Sequence, residues 1–405
     1  MLGVPNPKSI SEDKASNATH PSHPRPMRVC QVTSMHTWDD DRIYQRACLG
    51  LARSGIDVHL VATEGAGVDE CRVPVVRLTP RKGLRRRLFS SLKAVLGAGR
   101  IGADVYQVHD PDLLPWVWLL KQPGVVVIYD VHENYAARAE RLPKPIRSVT
   151  SRLIREVEKM ILRRMDGFVA VTESLAKMLA DAKVPSTIVR NTVDAHRLEG
   201  VLPDGAAPSK TPVIYTSGTI ASDRGCRELV EAMPAVLARF PEARLMFAGR
   251  YPGGFDRVLR ETAESEGVKD SVVLDGMIAW EDNFKRTARA FCGCVLYARN
   301  QNAEVALPNR LFEYMYCGIP VVVEDLPELR QVVDTVGCGV LVDSRDQDSL
   351  VQGLGQLLED RERAQEMGQR GRDAIMGEWG YQADLAKMII FYRQLLDPGV
   401  RPRSI

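Results

Sequence analysis

Short apolar runs alternate with amphipathic stretches along most of this 405-residue chain. Met27 to Val32 is apolar and β-rich, and a helical spacing of apolar positions follows from Ile43 to Ser54, stopped by Gly55. Ile56 to Thr63 predicts the next strand, completing a βαβ unit. Further strands are predicted at Val105–Val108, Val125–Asp130 and Phe168–Thr172, with helices at Ser148–Met165 and Ser174–Ala182. The stretch from His196 to Pro212 loses periodicity and gains proline and glycine, as a linker does. Beyond it the alternation restarts. Strands are predicted at Val213–Tyr215, Arg244–Ala248, Val272–Leu274, Val295–Tyr297, Pro320–Val323 and Gly339–Val342, and helices at Arg227–Phe240 and Phe255–Glu266. Alternation of this kind predicts two α/β, Rossmann-like domains, each a doubly wound parallel sheet, facing a cleft at the carboxyl ends of their strands. The expected division is a disordered leader 1–26, a first domain 27–195, a linker 196–212, a second domain 213–380, a helix 381–396 packing back on the first domain, and a tail 397–405.

Composition narrows the function classes. The chain is 45% hydrophobic and 26% charged, which suits a globular protein. Its 54 Lys and Arg against 52 Asp and Glu argue against bulk nucleic-acid binding. No apolar run approaches the roughly 20 residues that span a bilayer. The scattered cysteines, eight in all, read as reduced buried thiols of a cytoplasmic protein, and Cys292-Gly-Cys294 as part of a strand. The first residues lack the apolar core of a secretory signal.

Chemistry concentrates at the predicted strand ends. Neither domain has the Gly-x-Gly-x-x-Gly turn of a dinucleotide site, and no Walker A, zinc-protease or esterase motif occurs. Arg224-Gly225 stands at a helix start, where a guanidinium and the helix dipole can clamp a diphosphate. An exposed cation before a capping glycine is the bland alternative. Pro308-Asn309-Arg310-Leu311-Phe312-Glu313-Tyr314-Met315 places Glu313 in an apolar helix, where the hydroxyls of a ribose would satisfy it and Arg310 could meet phosphates. A capped helix with Glu313 paired to a neighbouring arginine is equally open. Asp130-Val131-His132-Glu133 ends a strand, and Asp39-Asp40-Asp41-Arg42 follows the first strand, as site residues or as helix caps.

These motifs resemble glycosyltransferase family 4, which has the GT-B fold, over residues 27 to 396. The most specific match is the 308–315 segment followed by Gly318-Ile319-Pro320, similar to the donor-site signature of a subgroup that commonly has Lys at the position of Arg310. Asp41-Arg42-Ile43, Asp130-x-His132-Glu133 and Asn191-Thr192-Val193-Asp194 match the same subgroup. The resemblance implies retaining transfer from a nucleotide-sugar, with a UDP-sugar favoured, to a hydroxyl acceptor that can be lipid-linked, with no metal or cofactor. It implies that Gly218, Arg224, Gly225, Arg310 and Leu311 hold the donor diphosphate, Glu313 the ribose, and Glu304 and Asn309 the sugar. His132 and Glu133 are the expected catalytic pair, and His36, Asp41 and Arg42 lie on the acceptor side. Three departures stand out: Val305 replaces the first of two family glutamates, Thr219 replaces a common arginine, and the glycine-rich first loop is absent.

Residues 81–100 carry seven Lys or Arg and no acid, interleaved with Leu84, Leu88, Phe89, Leu92, Val95 and Leu96. That pattern predicts a basic amphipathic helix, with Arg85, Arg86 and Arg87 forming a patch for an anionic membrane at its cytoplasmic face or for the acceptor. Residues 144–165 are also basic, with seven Lys or Arg against two Glu. A packed helix with a solvated basic face is the alternative. Other readings of the whole chain are a nucleotide-sugar epimerase or inverting transferase on the same frame, and a non-catalytic nucleotide-sugar-binding partner.

Overall fold

A computed structural model describes residues 25–65, 71–79, 84–132, 134–137, 143–202, 209, 211–397 and 399. The first sheet comprises β1 (Arg28–Thr37), β2 (Asp57–Thr63), β3 (Val75–Leu78), β4 (Val105–Val108), β5 (Val126–Val131), β6 (Gly167–Ala170) and β7 (Ser186–Ile188). Their order is β3-β2-β1-β4-β5-β6-β7, and the pairs are parallel. The second sheet comprises β8 (Val213–Thr219), β9 (Arg244–Arg250), β10 (Val272–Asp275), β11 (Cys292–Val295), β12 (Val321–Glu324) and β13 (Gly339–Val342). It is parallel in the order β10-β9-β8-β11-β12-β13. Both sheets reverse direction beside their first strand, and the crevice at that reversal is where ligands bind in open α/β sheets. Helices cover both faces, so β4, β5, β6, β11 and β12 are buried along their whole lengths and read as unbroken apolar runs.

Local sequence explains the elements that frame the cleft. Asp40 caps the segment after β1 by accepting from the N–H groups of Arg42 and Ile43, both at 2.9 Å. That segment, predicted as one α-helix, is π-helical over Asp41–Cys48 and α-helical only over Leu49–Arg53. Gly55 ends it at φ 78°. β11 starts at Cys292, as read for Cys292-Gly-Cys294, and ends at Val295, two residues before the expected Tyr297; Gly293 lacks the Cβ that would collide with the Tyr314 ring. β3 and β7 went unpredicted: they are short edge strands of four and three residues whose half-exposed positions form no apolar run.

The helix Tyr381–Leu396 crosses back to the first sheet. Leu385, Met388, Phe391, Tyr392 and Leu395 pack with Val29, Val105, Ile128 and Val169, and Gly167 leaves room for the Phe391 ring. Its start is anchored at Asp384, fully buried, which accepts from Arg190 N at 2.8 Å and from Arg190 Nη2 at 2.7 Å. Arg190 also donates to Glu378 O at 2.8 Å and lies 4.4 Å over the Trp379 ring. Thr172 Oγ1 donates to Val305 O, and Ser174 N to Glu328 Oε1, joining the two halves elsewhere. No helix among the described residues is long and apolar enough to cross a membrane.

Candidate active site

A cleft of about 630 Å³ opens at the carboxyl ends of the second sheet's strands. Gly218 and Gly249, at paired positions on β8 and β9, adopt φ 95° and φ 146°. A Cβ on Gly249 would run into the Gly218 carbonyl, so this floor admits only glycine there. Gly225 caps the helix Cys226–Arg239 in the left-handed region at φ 61°, and a Cβ there would press on Leu296. The helix Asn309–Tyr316 starts at the same cleft. It is positioned by Tyr314, whose hydroxyl accepts from Ser217 N at 2.9 Å.

Arg224 and Arg310, 86 residues apart in sequence by subtraction of their numbers, meet at one aromatic ring. Their guanidinium carbons lie 4.3 and 5.1 Å from the centre of Tyr297. Arg310 is buried, donating to Ser217 O and Leu296 O at 3.3 Å each, and its Nε has no partner among the described residues. Arg224 Nε likewise lacks a hydrogen-bond partner, although Asp223 lies 3.5 Å away. Two incompletely satisfied guanidiniums on a shared cleft wall are suited to a polyanion. Glu313 lines the same cleft, and no donor among the described residues reaches its carboxylate. Burial pushes the Glu313 carboxyl up to about 7, opposed by Arg46.

The other sequence-predicted donor residues divide. Gly218, Gly225 and Asn309 are placed at the cleft. Leu311 is fully buried with its N–H turned to Pro308 O at 3.1 Å, so it closes the helix's first turn. Glu304 is exposed and lies outside the cleft lining, while Val305 beside it packs against the first domain's core.

Across the junction, β4 and β5 deliver a polar cluster at their carboxyl ends. Asp130 accepts from Arg42 Nη2 and Gln107 Nε2, each at 2.8 Å. His109, fully buried, donates from Nε2 to Gln31 Oε1 at 2.7 Å, and its Nδ1 lies 3.2 Å from His132 Nε2. Tyr392, from the returning helix, contacts Gln107 and accepts from Gln31 Nε2 at 3.4 Å. Burial favours neutral Asp130, yet Arg42 and the two histidines hold its carboxyl well below the usual range. Burial pushes the His132 imidazole down to about 3, so it is neutral near pH 7. His109, Asp130 and His132 bring potential ligand atoms within 4.8 Å of one another, but a cation there would have to displace Arg42 and Gln107 from Asp130.

His36 faces His132 with ring centres 6.0 Å apart, and Asp110, 3.1 Å from its Nδ1, raises its pKa. Asp110 also accepts from Thr33 Oγ1 at 2.6 Å, Ser34 N at 2.7 Å and Met35 N at 3.1 Å. That carboxylate folds the turn at the end of β1. Asp41 lies at the domain junction, paired with Arg46 at 2.7 Å and Arg197 at 2.5 Å, in a small pocket that Glu313 also lines. Glu133 falls outside the described residues. Arg85, Arg86 and Arg87 lie on the first turn of the helix Leu84–Gly99, with side chains outside the described residues.

Sequence reasoning missed Tyr297, Trp280, Asn283 and Met277 on the donor side, and His109, Asp110, Gln31, Gln107 and Tyr392 on the other. His109-Asp110 carried a usable signal, two polar residues directly after an apolar strand.

Two domain models match the chain in succession: residues 41–197 match "Glycosyltransferase Family 4" and residues 202–374 match "Glycosyl transferases group 1". With its two parallel sheets, the chain has the GT-B fold. A glycosyltransferase from Rickettsia africae superposes with a TM-score of 0.71 at 12% identity, over 92% of this chain and 100% of that one. The Anabaena Alr3699/HepE protein in complex with UDP and glucose gives 0.69 at 14%, over 91% and 99%. Among curated relatives, a GDP-mannose-dependent monoacylated alpha-(1-6)-phosphatidylinositol monomannoside mannosyltransferase of Corynebacterium glutamicum is 29% identical over 175 residues, 42% of this chain and 44% of that protein. A GDP-mannose:cellobiosyl-diphosphopolyprenol alpha-mannosyltransferase of Xanthomonas campestris is 25% identical over 257 residues, 62% of this chain and 63% of that protein. The chain thus spans about half to two thirds of the length of the curated relatives it matches.

Proposed function

We propose that this chain is a retaining glycosyltransferase that moves a sugar from a nucleotide-sugar to a hydroxyl of a lipid or lipid-linked glycan. The observation that carries the reading is the convergence on one cleft of Arg224, Arg310 and a Glu313 carboxylate with no hydrogen-bond donor among the described residues. The two guanidiniums and the N–H groups opening the helices at Cys226 and Asn309 bind the diphosphate. Glu313 accepts from the ribose hydroxyls, and Asn309 approaches the sugar. The relatives' use of GDP-mannose makes guanosine the first base to test, ahead of the uridine expected from the motifs.

Asp110 and Asp130 are both engaged by several donors, so neither is available as a free base. That favours a route in which the leaving diphosphate takes the acceptor's proton, with no metal. Neutral His132, held by His109, contributes a hydrogen bond at the transferred sugar. The acceptor enters from the His36 side, with Arg42 fixing Asp130 beneath it. A lipid acceptor would put the protein at the inner face of a membrane as a peripheral component.

A thermal-shift series with GDP-mannose, UDP-glucose, ADP-glucose and TDP-glucose tests the donor. GDP-mannose is expected to stabilise the chain most, because any ligand that binds only the folded state raises its stability with occupancy. Stabilisation by none of the four would overturn the assignment of the cleft.

A further inference from the structure

The helix Lys144–Leu162 carries an apolar stripe that the described residues leave exposed. Ile146, Val149, Leu153, Val157 and Met160 are spaced by three or four residues and so share one face. They are 55, 68, 62, 40 and 46% exposed, whereas an ordinary amphipathic helix turns such a stripe to the core. At 1.5 Å per residue the stripe is about 21 Å long. The helix Leu84–Gly99 buries Ala94, Val95 and Ala98 but exposes Leu88, Phe89 and Leu96, and the neighbouring turn exposes Trp118 at 64%. Ile161 and Leu162, at the end of the helix Lys144–Leu162, join the buried residues of the other two segments in one core cluster of the first domain. The exposed apolar residues therefore belong to a single outer layer.

The charge around the stripe points to its occupant. Arg147, Arg152, Arg163 and Arg164 make no ion pair among the described residues, and Lys93 stands 4.9 Å over the Phe89 ring. A long apolar stripe flanked by arginines that make no ion pair among the described residues matches an anionic bilayer surface, where apolar side chains enter the interface and guanidiniums meet phosphates. Because a helix after a parallel strand starts at that strand's carboxyl end, the Ile146 end of the stripe lies on the cleft side of the domain, 14 residues after His132 by their numbers.

We infer that this layer, with the helix Lys144–Leu162 at its centre, docks on an anionic membrane. The inference deepens the reading of a lipid-linked acceptor, and its purpose rests on that reading: docked in this way, the acceptor side of the cleft opens toward lipid headgroups.

The test is cosedimentation of the full chain with vesicles of phosphatidylcholine alone or mixed with phosphatidylglycerol. Binding to the anionic vesicles, weakened by salt, is expected. Val149→Ser combined with Leu153→Ser should weaken it about tenfold or more, since each removes an interfacial apolar side chain. Arg152→Glu with Arg163→Glu should weaken it comparably without touching the stripe. Both pairs are exposed, and an unchanged thermal shift with GDP would show that the variants fold. No binding of the unaltered chain to anionic vesicles would overturn the inference. So would unchanged binding by both double variants, or a solution dimer that Val149→Ser with Leu153→Ser dissociates, which would seat a second copy on this face. A chain that transfers sugar but ignores vesicles overturns this inference alone. One that binds vesicles but no nucleotide-sugar overturns only the reading of the cleft.

Discussion

Replacing Glu313 with alanine is expected to weaken nucleotide-sugar binding about ten- to a hundredfold, the range for losing charge-assisted hydrogen bonds of about 1.5–3 kcal/mol. The cause is local. The carboxylate has no donor among the described residues, so the ribose hydroxyls would be its first partners. The same burial that leaves it partnerless raises its carboxyl to about 7, which gives the prediction a pH signature. Only the ionised form accepts from both hydroxyls. Affinity should therefore climb from about pH 6 to about pH 8 and then level off, and binding near the lower value should release a proton. Glu313→Gln should flatten that dependence as well as lower affinity. Calorimetry in buffers of different ionisation enthalpy measures both. A Glu313→Ala variant with unaltered affinity would show that the ribose binds elsewhere.

His132→Ala is expected to split the other way, with turnover falling about a hundred- to a thousandfold, as when a preorganised hydrogen-bonding group at the reacting centre is lost. Nucleotide affinity should hardly change, since His132 belongs to the first domain's cluster and the nucleotide residues to the second. Because burial keeps the imidazole neutral down to about pH 3, no step in the pH–rate profile near neutrality should disappear with it. Steady-state kinetics beside direct nucleotide titration checks the separation. Equal losses in both would make His132 a structural residue only.

Much of this architecture was legible because burial on both faces turns parallel strands into apolar runs. β4 and β13, and the returning helix Tyr381–Leu396, have the bounds read from the sequence. Arg224, Gly225, Arg310 and Glu313 stood out as charged or glycine positions at predicted helix starts, and they share one cleft. What escaped reading depends on three-dimensional closure. Tyr297 is an ordinary aromatic until Arg224 and Arg310 approach its ring. Tyr392 sits in an apolar helix and becomes part of the histidine cluster only because that helix crosses to the first sheet. The π-helical turn after Asp40 has no periodicity distinct from an α-helix over so few residues. The segment from Ile146 to Met160 was read only as basic and mostly helical, and helical spacing alone does not tell a core-facing side from an exposed one.

The central claim is transfer of a sugar from a nucleotide-sugar held at the second domain's cleft to a lipid or lipid-linked acceptor. It is tested most directly by incubating the full chain with GDP-mannose labelled in the sugar, together with a bacterial lipid extract, and following the label into organic solvent. Release of GDP matched by labelled lipid, with the mannose linked in the α-configuration it had in the donor, is the expected result. Release of free mannose or of an epimerised nucleotide-sugar, with no label in lipid or glycan, would contradict it.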